Sequence, residues 1–188
     1  MRKIISLMHI SLDGFAAGPN GEMDWIVYDG EIFKNAIALT DHTDTAIYGR
    51  TTYQMMVGYW PTVPANPDSS PDDLHHAAWV ENVHKVVISR SLDKVEWNNT
   101  ELIGENFAEE IAKLKALPGQ NLMIFGSPRV VHLLGQLGLI DEYRLNVSPV
   151  VLGKGIPMFE GYAAKLTLLN AHTFESGVVA LHYATVRE

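Results

Sequence analysis

Three times along the chain a short apolar run gives way to small or hydroxylated residues with an arginine close behind: Gly49-Arg50-Thr51-Thr52, Ser89-Arg90-Ser91 and Gly126-Ser127-Pro128-Arg129. In open α/β sheets ligands gather beyond the carboxyl ends of the strands. A helix that starts there turns free N–H groups and its positive dipole end toward an anion. Glycine permits close backbone approach, hydroxyls add donors, and the arginine fork matches phosphate oxygens. One such site alone reads more readily as an ordinary loop, because small residues and arginines are common after strands. Three of them, taking half of the six arginines, point to a ligand with several phosphates. A pyrophosphate needs one helix N-terminus, and a third, separate arginine suits a further phosphate such as the 2′-phosphate of NADP. The Gly-x-Gly-x-x-Gly fingerprint is absent, and Gly14-Phe15-Ala16-Ala17-Gly18 does not replace it because turn formers follow.

The elements that must position these sites follow from periodicity. Ile4 to Ile10, Ala46 to Tyr48, Lys85 to Ile88, Glu101 to Ile103 and Asn121 to Phe125 read as short buried strands. Helices are expected over Gly30 to Ala38, from Thr51, through His76 to Trp79, over Asn106 to Leu117 and over Val130 to Leu137. The last third turns β-rich, with strands over 142–151, 164–170 and 178–186. Strands alternating with helices, then this run, predict one α/β domain over residues 1–188 with a mostly parallel sheet, helices on both faces and an antiparallel C-terminal edge. Tyr59 to Asp73 holds four prolines and is expected to be a long loop, hence a lid, a dimer contact or a disordered stretch.

Composition narrows the function classes. A length of 188 residues with 47% hydrophobic side chains supports one ordinary core. No cysteine is present, so disulfides and thiolate metal sites are excluded and a cytoplasmic setting is expected. A net charge of −8 disfavours nucleic acid, and no run approaches the length of a membrane span. The eight histidines show no metal-ligand spacing, so no metal is expected.

Taken together the residues carry a resemblance. Ser11-Leu12-Asp13-Gly14-Phe15-Ala16-Ala17-Gly18-Pro19-Asn20-Gly21, Asp24-Trp25, Gly49-Arg50-Thr51-Thr52-Tyr53, Ser89-Arg90 and Phe125-Gly126-Ser127 resemble the dihydrofolate-reductase-like family. The nearest branch is the C-terminal reductase domain of the bifunctional riboflavin-biosynthesis protein. The run from Leu139 to Arg144 and from Pro149 to Gly155 is similar to the same branch.

The resemblance implies an NADPH-dependent reductase of a pyrimidine, pterin or related heterocycle, dihydrofolate reduction or a non-catalytic NADP-binding module being the alternatives. It implies that Ala16 and Ala17 border the nicotinamide, within a loop from Asp13 to Trp25 that closes over it. Gly49, Arg50 and Thr51 would hold the pyrophosphate, Ser89 and Arg90 the 2′-phosphate, and Gly126, Ser127 and Arg129 the second phosphate-binding helix. Dihydrofolate reductases carry adjacent glycines where this chain has Gly126-Ser127. Their proton-donating carboxylate stands at the start of the first helix, which points to Asp29 and Glu31, with helix capping as the other reading. Asp13 is a substrate contact or a turn former, Trp25 a stacking platform or core residue, and Lys154 a substrate-phosphate partner or a solvated loop lysine. A homodimer is expected, through the apolar Val147, Val150, Val151 and Leu152.

Overall fold

A computed structural model describes residues 1–187. In chain order the elements are β1 (Ile4–Ser11), β2 (Phe15–Ala17), α1 (Gly30–Thr40), β3 (Thr43–Gly49), α2 (Arg50–Tyr59), a 3₁₀ turn (Trp60–Ala65), α3 (Pro71–Asn82) and β4 (His84–Ile88). There follow β5 (Thr100–Ile103), α4 (Phe107–Ala116), β6 (Asn121–Phe125), α5 (Pro128–Gln136), β7 (Glu142–Ser148), β8 (Ile156–Pro157), β9 (Leu166–Thr173) and β10 (Val179–Thr185). Eight strands form one sheet in the order β5-β4-β3-β6-β1-β7-β10-β9. All its pairings are parallel except those of β10, which runs against β7 and β9.

Strand alternation explains why helices cover both faces. Even-numbered residues of β1, such as Ile4 and Met8, join Leu122, Ile124, Tyr143 and Leu145 in a core under α4 and α5. Odd-numbered ones, Ile5 and Leu7, join Tyr48, Val87, Met123 and Phe125 against α1, α2 and α3. Central strands buried on both faces are mostly apolar, as parallel sheets favour, with Ser6, His9 and Ser11 the polar residues of β1. Each fully buried Ile or Leu in them contributes about 1.5–3 kcal/mol.

The segment from Tyr59 to Asp73 is not the long loop its prolines suggest. Pro61 opens the 3₁₀ turn, and Pro71 stands in the first turn of α3, where its missing N–H has no partner to lose. Ser70 caps α3 through a reciprocal bond set with Asp73. The turn packs inward, with Trp60 stacked on Phe33 of α1 and edge-on to His76 of α3. Two short strands were also hidden in loops: β2 and β8 pair antiparallel beside the main sheet.

Candidate functional site

The sheet order decides where a ligand is received. From β3 the chain passes through α2 toward β4, and from β6 through α5 toward β7 on the opposite side. The crevice between the carboxyl ends of β3 and β6 is therefore a topological switch point. β4 lies on the other side of β3, with Ile88 level with Gly49. Thus the three arginine-bearing strand ends stand side by side.

Hydrogen bonds join them. The Gly49 N–H donates to Ser127 Oγ at 2.9 Å, and the Ser127 hydroxyl lies 2.9 Å from Thr52 Oγ1. Arg50 Nη1 donates to Ser91 Oγ at 3.1 Å. The local backbone makes this approach possible. Gly126 and Ser127 both take left-handed conformations (φ 55° and 60°), which turn the chain from β6 into α5. At Gly49 a Cβ would lie 3.2 Å from Val130 Cγ2, so glycine lets α2 begin close to α5. Ser127 is buried in the serine position where adjacent glycines would be expected, and its hydroxyl supplies the bridge that glycine could not.

The helix starts differ in chemistry. α1 and α3 have side-chain caps, and α1, α3 and α4 all carry acids in their first turns. α2 and α5 have no side-chain cap bond and no acid in the first turn. Their positive ends are thus uncompensated, and Arg50, Thr51 and Arg129 are exposed beside them. The third site is a tight turn: Ser89 Oγ accepts from the N–H groups of Ser91 and Leu92, both at 3.2 Å. Arg90 is exposed, its guanidinium 5.1 Å from the Phe107 ring centroid. Two uncapped helix ends and an adjacent arginine turn fit a pyrophosphate with one further phosphate, as NADPH carries.

Ala16 and Ala17 are buried in β2, which pairs with β8. Asp13 clamps this unit: its carboxylate accepts from Ser11 Oγ (2.7 Å), Leu152 N–H (3.1 Å) and Gly153 N–H (2.7 Å). The Ser11 hydroxyl and those two N–H groups hold its carboxyl below the usual range. Lys154 follows on the exposed side of the clamp. Trp25 is half-buried, its indole N–H donating to Glu22 O at 3.0 Å.

Asp29 is the N-cap of α1, accepting from Ile32 N–H at 2.9 Å, while Glu31 is exposed in the first turn. Tyr53 and Trp60 serve packing: the Tyr53 hydroxyl accepts from the N–H groups of Glu96 and Trp97, and Trp60 Nε1 lies 3.0 Å from Met56 Sδ. His9 gained no role from its sequence context, yet it faces the α1 side of β1 with its ring 5.1 Å from that of Tyr28. Burial pushes its imidazole down to about 4, and Nδ1 has no partner. Its sequence signal is a histidine set in a predominantly apolar strand.

The RibD C-terminal domain family model matches residues 2–180. The uncharacterized protein YyaP of Bacillus subtilis is 36% identical over 190 residues, covering 97% of this chain and 94% of that one. A deaminase/5-amino-6-(5-phosphoribosylamino)uracil reductase from Thermotoga maritima superposes with a TM-score of 0.68 at 15% identity, over 98% of this chain and 57% of that one. Dihydrofolate reductase from Enterococcus faecalis, in complex with NADP(H), gives 0.62 at 13% identity over 98% and 97%. The architecture is therefore the dihydrofolate-reductase-like α/β fold, and the chain belongs to the RibD C-terminal domain family.

Proposed function

We propose that the protein is an NADPH-dependent reductase of a small heterocycle. The observation that carries this reading is the pair of uncapped, acid-free helix N-termini at the switch point, with the Ser89–Ser91 turn beside them. The α2 and α5 ends take the pyrophosphate, with Arg50 and Arg129 as counter-charges, and Arg90 faces the 2′-phosphate. The Thermotoga protein is named as a 5-amino-6-(5-phosphoribosylamino)uracil reductase and the Enterococcus protein is in complex with NADP(H), which supports a related chemistry here.

When bound, NADPH supplies the hydride. Ala16 and Ala17 would border its nicotinamide, and the Asp13 clamp would hold β2 in place. His9, its imidazole kept neutral by burial, would face the acceptor with the Tyr28 ring packed against it. Asp29 acts as the helix cap, its carboxyl held below the usual range by the Ser176 hydroxyl nearby and the Ile32 N–H, which leaves it ionised and unsuited to donate the proton.

Fluorescence titration with NADPH and NADH tests the reading. NADPH is expected to bind at least roughly tenfold more tightly, and Arg90→Gln to erase that margin while leaving NADH binding unchanged. Equal affinity for the two, or no binding of either, would sink the proposal.

A further inference from the structure

Across β1 from the three cradles, a cleft of about 310 Å³ opens between α1 and the strands β7, β10 and β9. The Ile32–Phe174–Val178 cluster packs the Asp29 end of α1, and the cleft follows along the next turns, from Asn35 to Leu39. Its polar lining is Arg144, Asn146, His182, Asn170, His172 and Asn35. Among the described residues no carboxylate lines it, in a chain with 22 acidic and 14 basic residues.

The nearest acid on that sheet face is already engaged. Glu142 lies 2.6 Å from Lys3 Nζ and 2.7 Å from His182 Nε2. The Arg144 side chain, in contrast, makes no hydrogen bond among the described residues, and its Nε is buried without a partner there. The carboxamides of Asn35, Asn146 and Asn170 likewise make none among the described residues. A half-buried guanidinium whose buried Nε has no acceptor is costly to maintain, and Asn146 beside it is buried, while the amides of Asn35 and Asn170 are exposed at the mouth. The volume is at the lower end of the range for small-molecule sites.

We propose that this cleft is a second ligand site, taking an oxyanion group, phosphate or carboxylate, on a small hydroxylated molecule. Arg144 is the counter-charge, and the amides and imidazoles meet the hydroxyls. The site stands apart from the nucleotide cradles and does not depend on the reductase reading.

The test uses the full chain carrying Arg50→Gln and Arg90→Gln, so that phosphate cannot report from the cradles. Glycerol 3-phosphate and malate are titrated separately while the ring resonances of His172 and His182 are followed by NMR. A saturable shift with either probe is expected, the effective one identifying the oxyanion. Adding Arg144→Met should weaken it at least roughly tenfold. Asn170→Leu, on the exposed strand β9, should weaken it in the same direction, and carries the test if the Arg144 variant does not fold. No saturable shift with either probe, or unchanged affinity in the folded variants, would overturn the proposal. So would a dimer in sedimentation whose imidazole signals ignore both anions, since a second copy would then occupy this face.

Discussion

At His76 one buried imidazole sets part of the acid stability of the molecule. It sits among Phe33, Trp60 and Trp79 with Nδ1 unpartnered, and burial pushes it from 6.5 down to about 4. The unfolded chain takes up the proton first as pH falls, so stability is full above about 6.5 and drains as pH drops toward 4. The full difference is worth about 3 kcal/mol. His76→Phe should therefore shrink the loss between pH 7 and pH 5 by about 2 kcal/mol, read from urea midpoints at the two pH values. An unchanged loss would mean that the ring is hydrated or partnered in solution. Asp29 gives a second test. Asparagine caps as well as aspartate, so Asp29→Asn should leave the melting point nearly unmoved, whereas Asp29→Ala should cost about 1 kcal/mol. With the carboxylate acting only as a cap, turnover of Asp29→Asn should fall less than roughly a hundredfold; a greater loss would make it the proton donor. At this scale the sequence is a partial guide. The arginine sites are visible because each is local, while the bond from Gly49 to Ser127 joins residues 78 apart and has no local signature. His75 and His76 look alike as a pair, but helical geometry turns one outward and buries the other.

Elements with strong periodicity were legible, and those held by tertiary partners were not. α4 carries its apolar stripe and Pro118-Gly119 stop in the sequence, and it forms over Phe107–Ala116. Two of the four prolines between Tyr59 and Asp73, Pro61 and Pro71, instead mark helix starts, which only the packing of Trp60 between α1 and α3 makes evident. β2 and β8 are too short to announce themselves, because each needs the other and the Asp13 clamp. Gly155 is the tightest point of that unit: a Cβ there would run into the Ala17 carbonyl and press on Phe15. Gly155→Ala should therefore part β2 from β8 and cost about 1–3 kcal/mol of stability. Because Ala16 and Ala17 ride on β2, turnover should fall by more than NADPH affinity does, the phosphate cradles lying on other strands. Loss of affinity equal to the loss of turnover would show that β2 and the cradles move as one piece.

For the whole molecule, strand types and the helix alternation were readable, but the spatial order was not. Nothing local says that β6 lies between β3 and β1, or that β10 inserts between β7 and β9, since both follow from how faces are covered across the sheet. That order creates the switch point, so the site is legible as three fragments and assembled only by topology. The assembly makes a thermodynamic prediction that single fragments do not. A ligand that spans α2, α5 and the Ser89–Ser91 turn ties together parts of the chain from residue 49 to residue 129 and binds only when all are in place. At a hundred times its dissociation constant such a ligand stabilises the folded state by about 2.7 kcal/mol. For a chain of this size that is a rise in melting temperature of roughly 5–10 °C. NADPH should produce it, NADH at the same concentration should produce much less, and Arg50→Gln with Arg90→Gln should remove most of it. Because both arginines are exposed, the rise should also shrink as salt is added, the screening length falling to roughly 10 Å at 0.1 M. A salt-independent rise of equal size with both nucleotides would mean that the ligand is held by its rings and not its phosphates, and the arginine turns would then be ordinary surface.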